Sequence, residues 1–238
     1  YRHLAQADFS AHASGLTMAL NTFANRLRGT GRRDEALAAA QEVVSIRRRL
    51  VQSDPGAYAG ELAASLTNLT GHLAGAEQYR EAADTAQEAV TLYRRLIWET
   101  PGQYTSGFGK ALNNLVIVLT RGERFDEALV AEQEMVSLYR SLAQHNPAAY
   151  SHRLSTELID LAKRLSNAER NDEALAASRE ATALLRSLSD HDPQSFSRSL
   201  INALDVNATI LEFCGLVEES SRLRHERDML VMRFGDGR

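Results

Sequence analysis

The stretch RRDEALAAAQEVVSIRRRL, Arg32 to Leu50, returns as YREAADTAQEAVTLYRRL at Tyr79 to Leu96. It returns again as FDEALVAEQEMVSLYRSL at Phe125 to Leu142 and as NDEALAASREATALLRSL at Asn171 to Leu188. The Glu-Ala pair marks the beat at Glu35-Ala36, Glu81-Ala82, Glu127-Ala128 and Glu173-Ala174, each 46 residues after the last. A worn fifth copy, Glu219-Ser220, falls on the same beat. A fixed period of this length is the signature of an array, in which one supersecondary unit is copied and buries its faces against its neighbours.

The same step governs the prolines. Pro55, Pro101, Pro147 and Pro193 each follow a residue able to cap a helix, namely Asp54, Thr100, Asn146 and Asp192. Proline suits the first helical position, where its missing N–H has no partner to lose, and the preceding side-chain oxygen accepts an orphan N–H. Each dipeptide is therefore expected to start a helix. The first copy, Asp8-Phe9, keeps the cap without the proline. In the second copy Tyr58, Leu62, Leu66, Leu69 and Leu73 define one apolar stripe at helical spacing, and Ala82, Ala86, Ala89, Val90 and Leu96 define another. Gly75 and Glu77-Gln78 separate the two stripes, and Gly31, Gly122 and Gly215 break the other copies near the same place. No stretch alternates at period two for long. The expected fold is all-α, with two antiparallel helices of roughly 19–21 residues per unit, each about 30 Å long.

Small residues indicate how the pairs stack. Ala36, Ala82, Ala128 and Ala174 hold one position, where a methyl lets helix axes approach closely. A single repeat domain over residues 1–238 is expected, with 1–8 ending a preceding helix and repeats at about 9–54, 55–100, 101–146, 147–192 and 193–238. Tyr1-Arg2 and Leu4 align with Tyr93-Arg94 and Leu96, so the chain opens inside a repeat, as a piece of something longer or with the preceding helix missing. In the fifth copy Arg227 and Asp228 stand where the second has Ala89 and Val90, and Arg224 stands where Ala40 and Ala86 do. Residues 217–234 therefore read as a C-terminal cap, polar on the side that no neighbour covers.

Composition removes several functions. A net charge of −4 leaves no broad electrostatic footprint for nucleic acid, and no run of 18 apolar residues offers a membrane span or a secretory segment. Cys214 is the only cysteine, so an internal disulfide and a multi-cysteine zinc site are ruled out, which fits the cytoplasm. Arginine outnumbers lysine 25 to 2, the codon habit of a GC-rich bacterial genome of actinobacterial type. The seven histidines show no HExxH spacing, and His145 and His191, one repeat apart, read as solvated loop residues. GFGKA at Gly107–Ala111 has Tyr104 where a phosphate loop needs its earlier glycine, lacks the Ser/Thr after Lys110, and falls inside a predicted helix. No catalytic residue, metal ligand or cofactor is expected. Trp98 and the recurring Tyr58, Tyr104 and Tyr150 follow the core period and read as packing residues. The Arg47–Arg49 run reads as cations near a helix C-terminus, where the dipole favours each by about 0.3–1 kcal/mol.

The run LTNLTGHLAGAEQYREAADTAQEAV, Leu66 to Val90, resembles a tetratricopeptide repeat. The apolar positions of its first helix, the aromatic at the turn (Tyr79, Phe125), the Glu-Ala and the later Ala89 all fall in register. Thr70 and Val116 depart from the small residue expected in mid-first-helix. The period of 46 also exceeds the family's usual value of about 34, making each helix about six residues longer. The resemblance implies a right-handed superhelical solenoid of about five long helix pairs whose first helices line a concave groove. It implies little about the partner, because the scaffold serves many. Long-period arrays of this kind resemble those attached to bacterial signalling or defence proteins, beside nucleotide-switch or protease modules.

Polar residues midway along the first helices are the candidate site. One position reads Thr22, Asn68, Asn114, Asp160 and Val206 down the copies; the position before it reads Asn21, Thr67 and Asn113 in the first three, and Asn25 lies one turn beyond Asn21. Asparagine is a mediocre helix former, so its recurrence in helix interiors asks for a reason. A carboxamide offers both donor and acceptor, the set that grips an extended peptide backbone without reading its side chains. The alternative is structural, since the family often carries asparagine here for a bond within the repeat. Asp160 changes the chemistry and Val206 ends it, which confines the grip to the first three repeats. Lys110 and Arg121 of the third copy, with Arg28 of the first, are expected to project from the same groove. Of the five-residue carboxylate clamp known in the family, Asn68 and Lys110 match, while Met18, Thr22 and Asn114 replace the other three. That set favours an acidic or C-terminal peptide, against the plainer reading of a solvated face.

Three functions follow. The first is a non-enzymatic interaction module that binds a peptide or partner segment in the groove of repeats one to three. The second is a regulatory sensor in which a peptide or small ligand switches an effector or ATPase module fused on the N-terminal side. The third is a scaffold that self-associates through the exposed first repeat.

Overall fold

The computed structural model describes residues 9–100 and 102–234, with side chains from residue 12 onward. Residues 1–8, with the expected preceding helix, His3 and the Asp8 cap, lie outside the described residues, as does Pro101. Among the described residues there are ten helices and no strand. They are α1 (Phe9–Gly29), α2 (Arg33–Ser53), α3 (Pro55–Gly75), α4 (Tyr79–Glu99), α5 (Thr105–Arg121), α6 (Phe125–His145), α7 (Pro147–Asn167), α8 (Asn171–His191), α9 (Pro193–Phe213) and α10 (Val217–Phe234). None of them is long and apolar enough to cross a membrane. The chain divides into two compact units, Tyr1–Ala131 and Glu132–Arg238. In the first, α1, α2, α3 and α4 each pack on the next helix in the chain, and α3 packs on α5. In the second, α7, α8 and α9 do the same, and α7 packs on α9. This is the all-α, tetratricopeptide-like helix-pair architecture.

Local chemistry explains the boundaries. Asp54 Oδ1 accepts from the Ala57 N–H at 3.0 Å, Asn146 Oδ1 from Ala149 at 3.2 Å and Asp192 Oδ1 from Ser195 at 3.2 Å, with Pro55, Pro147 and Pro193 next in line. The third copy departs from this expectation. Thr100 closes α4, its N–H donating to Leu96 O at 2.8 Å, and α5 begins only at Thr105. Gly102 has φ +94°, outside the helical region, so the chain makes an extra turn before the helix starts.

The turn inside each pair is the same five times. The N–H groups of Arg32, Gln78, Arg124, Arg170 and Leu216 reach back five residues to Leu27, Leu73, Leu119, Leu165 and Leu211 at 2.8–3.0 Å. This is the six-to-one bond of a Schellman motif, which needs a left-handed residue just before the donor. Gly31 and Gly215 supply it in two copies, and Glu77, Glu123 and Glu169, with φ near 60°, supply it in the other three. Gly122 is therefore not the breaking residue of its copy; Glu123 is. The Glu of the recurring Glu-Ala is clasped from the same turn. Arg32, Arg124 and Arg170 each make two bonds of 2.6–2.7 Å to Glu35, Glu127 and Glu173. The Ala after it is fully buried at positions 36, 82, 128 and 174, and Ser220 takes its place at 1 % exposure.

Neighbouring second helices are stitched by ion pairs whose partners lie 40 residues apart. Arg48–Glu88 does this in the first unit, and Arg140–Glu180, Arg179–Glu219 and Arg186–Glu226 in the second, at 2.5–2.8 Å. Of the Arg47–Arg49 run, Arg48 belongs to this pattern. Arg47 is buried and pairs with Glu61, Arg48 pairs with Glu88, and Arg49 is also engaged. Two further expectations change. Trp98 is 88 % exposed, because it sits on the outer side of α4 at the position of the exposed Gln52 and Gln144. Tyr58, Tyr104 and Tyr150 are half-buried, and Tyr58 packs against the core of the first unit, as its period predicts. His145 and His191 are the last residues of their helices and not loop residues, each with Nδ1 at 2.7–2.8 Å from the carbonyl four residues back.

Candidate functional site

The nine candidate residues all lie on α1, α3 and α5 of the first unit. Thr22, Asn25, Arg28, Asn68, Lys110 and Arg121 are exposed, while Asn21, Asn113 and Asn114 are half-buried. On α5, residues 110, 114 and 121 are separated by whole numbers of turns and share one stripe with Ile117. The same stripe on α1 holds Met18, Thr22 and Asn25, and on α3 it holds Ala64, Asn68 and Gly71. Met18 is 71 % exposed and Ile117 is 42 % exposed, so an apolar contact stands beside the polar ones. In the sequence Met18 stands out only as a replacement in the clamp pattern, and Ile117 looks like any other apolar residue of its helix.

The recurring asparagines are not equivalent. Asn114 Nδ2 donates to the Thr67 carbonyl at 3.1 Å, tying α5 to α3 one repeat earlier. Part of its hydrogen-bonding capacity is therefore spent inside the array, between repeats. Asn68, one repeat back at the same position, is exposed and makes no hydrogen bond among the described residues. Thr22 turns its hydroxyl onto the Met18 carbonyl of its own helix at 3.0 Å. An exposed carboxamide with both groups free is thus found at Asn68, one repeat before Asn114 on the shared stripe.

The electrostatics of these helices are one-sided. α1, α3 and α5 carry Arg26, Arg28, Lys110 and Arg121 against a single acid, Glu61, which Arg47 of α2 already neutralises. His72, buried on α3, is held below its ordinary pKa by desolvation first and by the Arg28 charge second. It therefore adds no cation at neutral pH, and it registers the positive field of its surroundings.

The GFGKA stretch lies within α5, as its spacing predicts, and Gly107 has a packing reason. A Cβ on Gly107 would come within 2.6 Å of the Tyr93 ring, and one on Gly60 within 2.6 Å of Tyr104. The two tyrosine rings lie 6.3 Å apart. Glycine here seats aromatic rings. Cys214 is half-buried at the end of α9. Among the described residues no cluster of three or more His, Cys, Asp or Glu could hold a metal ion.

The tetratricopeptide repeat profile matches residues 16–55 and 109–147, the same part of the first and third copies. No curated protein sequence matches the chain. Among solved structures, one described as a kinesin light chain of Podosopora anserina with nearly identical TPR-like repeats is similar at TM-score 0.67. Its identity is 16 %, with 93 % of this chain and 97 % of that one covered. MamA is similar at TM-score 0.61, 15 % identity, and 92 % and 94 % coverage. YrrB, described as a TPR protein with an unusual peptide-binding site, is similar at TM-score 0.54, 18 % identity, and 89 % and 84 % coverage. At these identities the likeness shows the fold, and in the two matched segments the chain is similar to tetratricopeptide repeats.

Proposed function

We propose that the chain is a non-enzymatic protein-interaction module that takes an acidic or C-terminal peptide segment along the exposed stripe of α1, α3 and α5. The carrying observation is the pairing of free hydrogen-bonding groups with uncompensated cations. Asn68 offers an unengaged carboxamide, Lys110 and Arg121 offer charge, and no free carboxylate on these helices opposes them. Met18 and Ile117 add apolar contact. The peptide-binding site named for YrrB, a protein of similar fold, agrees with this use of the scaffold. On composition, the same reading places the protein in a bacterial cytoplasm, with the whole chain acting as one repeat domain and α10 as its cap. The capping role is supported by Arg224 and Arg227, which pair with Glu212 and Asp205 of α9 at positions where earlier second helices carry alanine, valine or other core residues.

Fluorescence anisotropy with acidic, neutral and basic peptides of equal length tests the proposal. The acidic peptide should bind best, with an affinity that falls as salt rises. Lys110→Glu with Arg121→Glu should weaken it by about tenfold or more, or 1.4 kcal/mol. Equal affinity for all three peptides, or an unchanged double variant, would send the search to another surface.

A further inference from the structure

Glu132 of α6 and Glu157 of α7 are the two buried carboxylate side chains among the described residues, at 2 % and 3 % exposure. They stand where the repeat asks for something small. The position of Glu132 is Ala40, Ala86 and Ser178 in the other internal second helices, and that of Glu157 is Ala19, Ser65, Ala111 and Ala203 in the other first helices. Only this junction carries an acid on both sides.

Their neighbours only half satisfy them. Arg164 Nε meets Glu132 Oε2 at 3.1 Å, and Arg153 Nε meets Glu157 Oε1 at 2.5 Å, with Arg153 also lying over the Tyr139 ring at 5.5 Å. Glu132 Oε1 is buried with no donor among the described residues. Glu157 lies two turns before Arg164 on α7 and is buried on the same side of that helix towards Glu132, and two carboxyls can form a hydrogen bond only when one carries a proton. Asp160 of α7 adds a third negative charge, partly offset by Lys163 at 3.8 Å. The buried residues of α8, which packs on α7, are all uncharged. Asp205 and Glu212 of α9 are occupied by Arg227 and Arg224.

We propose that the α6–α7 junction is a proton-operated latch: Glu132 and Glu157 share one proton when the helices are packed, and losing it to water loosens the junction. Two buried, adjacent carboxylates are poor stabilisers compared with the alanines the repeat uses elsewhere. Burial first, and then the Glu157 charge, push Glu132 up to about 7, and burial raises Glu157 as well. A raised carboxyl pKa stabilises the folded chain at low pH, and that contribution is lost as pH rises from the ordinary 4.5 through about 7. The latch is closed in acid and releases just above neutrality.

The test is urea unfolding of the full chain between pH 6 and 8, compared with Glu132→Gln, whose amide donates to Glu157 without titrating. The wild-type unfolding constant should rise by about tenfold more than that of the variant across this window, the increase expected for one group moved from 4.5 to about 7. Amide exchange should show the excess opening in α6 and α7. Parallel pH profiles for the two proteins would overturn the latch. Should Glu132→Gln fail to fold, the infrared carbonyl band of a protonated carboxyl decides in the wild type. The band should be present at pH 6 and lost by pH 8, and its absence at pH 6 overturns the proposal.

Discussion

Asn68→Ala and Asn114→Ala are the same substitution at the same position of α3 and α5, and the structure assigns them different consequences. Asn114 loses a half-buried bond to the Thr67 carbonyl at 3.1 Å; Asn68 loses none among the described residues. A net hydrogen bond of this kind contributes about 1 kcal/mol. The Thr67 carbonyl is in mid-helix, so it keeps a backbone partner when the amide leaves, and the cost stays near that value. Alanine is a better helix former than asparagine by about 0.6 kcal/mol, a gain common to both sites. Asn68→Ala should therefore be stabilised by a few tenths of a kcal/mol to about 0.6 kcal/mol, and Asn114→Ala should be destabilised by about 0.5 kcal/mol. The propensity term cancels in the difference, leaving about 1 kcal/mol as the contribution of the bond between repeats. Urea denaturation followed by circular dichroism at 25 °C measures both variants against the wild type. Equal stabilities, or a larger loss at Asn68, would refute the division of the two asparagines into one engaged and one free. Peptide binding measured on the same proteins should fall most in Asn68→Ala, which keeps its stability.

Glu77→Gly, Glu123→Gly and Glu169→Gly relieve a left-handed backbone that costs a non-glycine residue about 1–2 kcal/mol, against a chain-entropy loss of about 0.4–1 kcal/mol; the triple variant should gain about 2 kcal/mol, read by denaturation. A double-mutant cycle on Arg186 and Glu226, both more than a third exposed, should give a coupling of only about 0.5 kcal/mol that shrinks in 1 M salt. His72 is held below its ordinary 6.5, so it stabilises the fold above that pH and the contribution is lost as pH falls. His72→Val, matching Val118 one repeat on, should remove that acid sensitivity in a stability–pH profile, a trend opposite in sign to the one expected from Glu132.

Much of the fold was legible because it rests on local chemistry repeated at a fixed step. A cap and a proline act within four residues, so Asp54, Asn146 and Asp192 could be read from the chain alone. The alanine column at 36, 82, 128 and 174 was legible for a related reason: alanine's helix propensity favours every helical position alike, so its recurrence at one position of each repeat points to close packing there. The candidate site was legible as a set of positions. Its exposed members and its basic balance follow from helix phase and residue type, which a sequence carries in full.

What the sequence by itself determined, then, is the period, the helix pairs and the face on which Asn68, Lys110 and Arg121 are displayed. Tertiary structure decided which polar groups are already spent. Asn114 meets a carbonyl 47 residues away, Arg186 a carboxylate 40 residues away, and Glu132 the guanidinium of Arg164 across a helix junction. It also decided that α5 waits until Thr105, that glutamates hold the left-handed turns, and that Trp98 faces outward. The reason is physical. Propensity and capping act over single turns, whereas desolvation and hydrogen-bond partnership depend on which atoms from distant turns arrive within about 3 Å of one another.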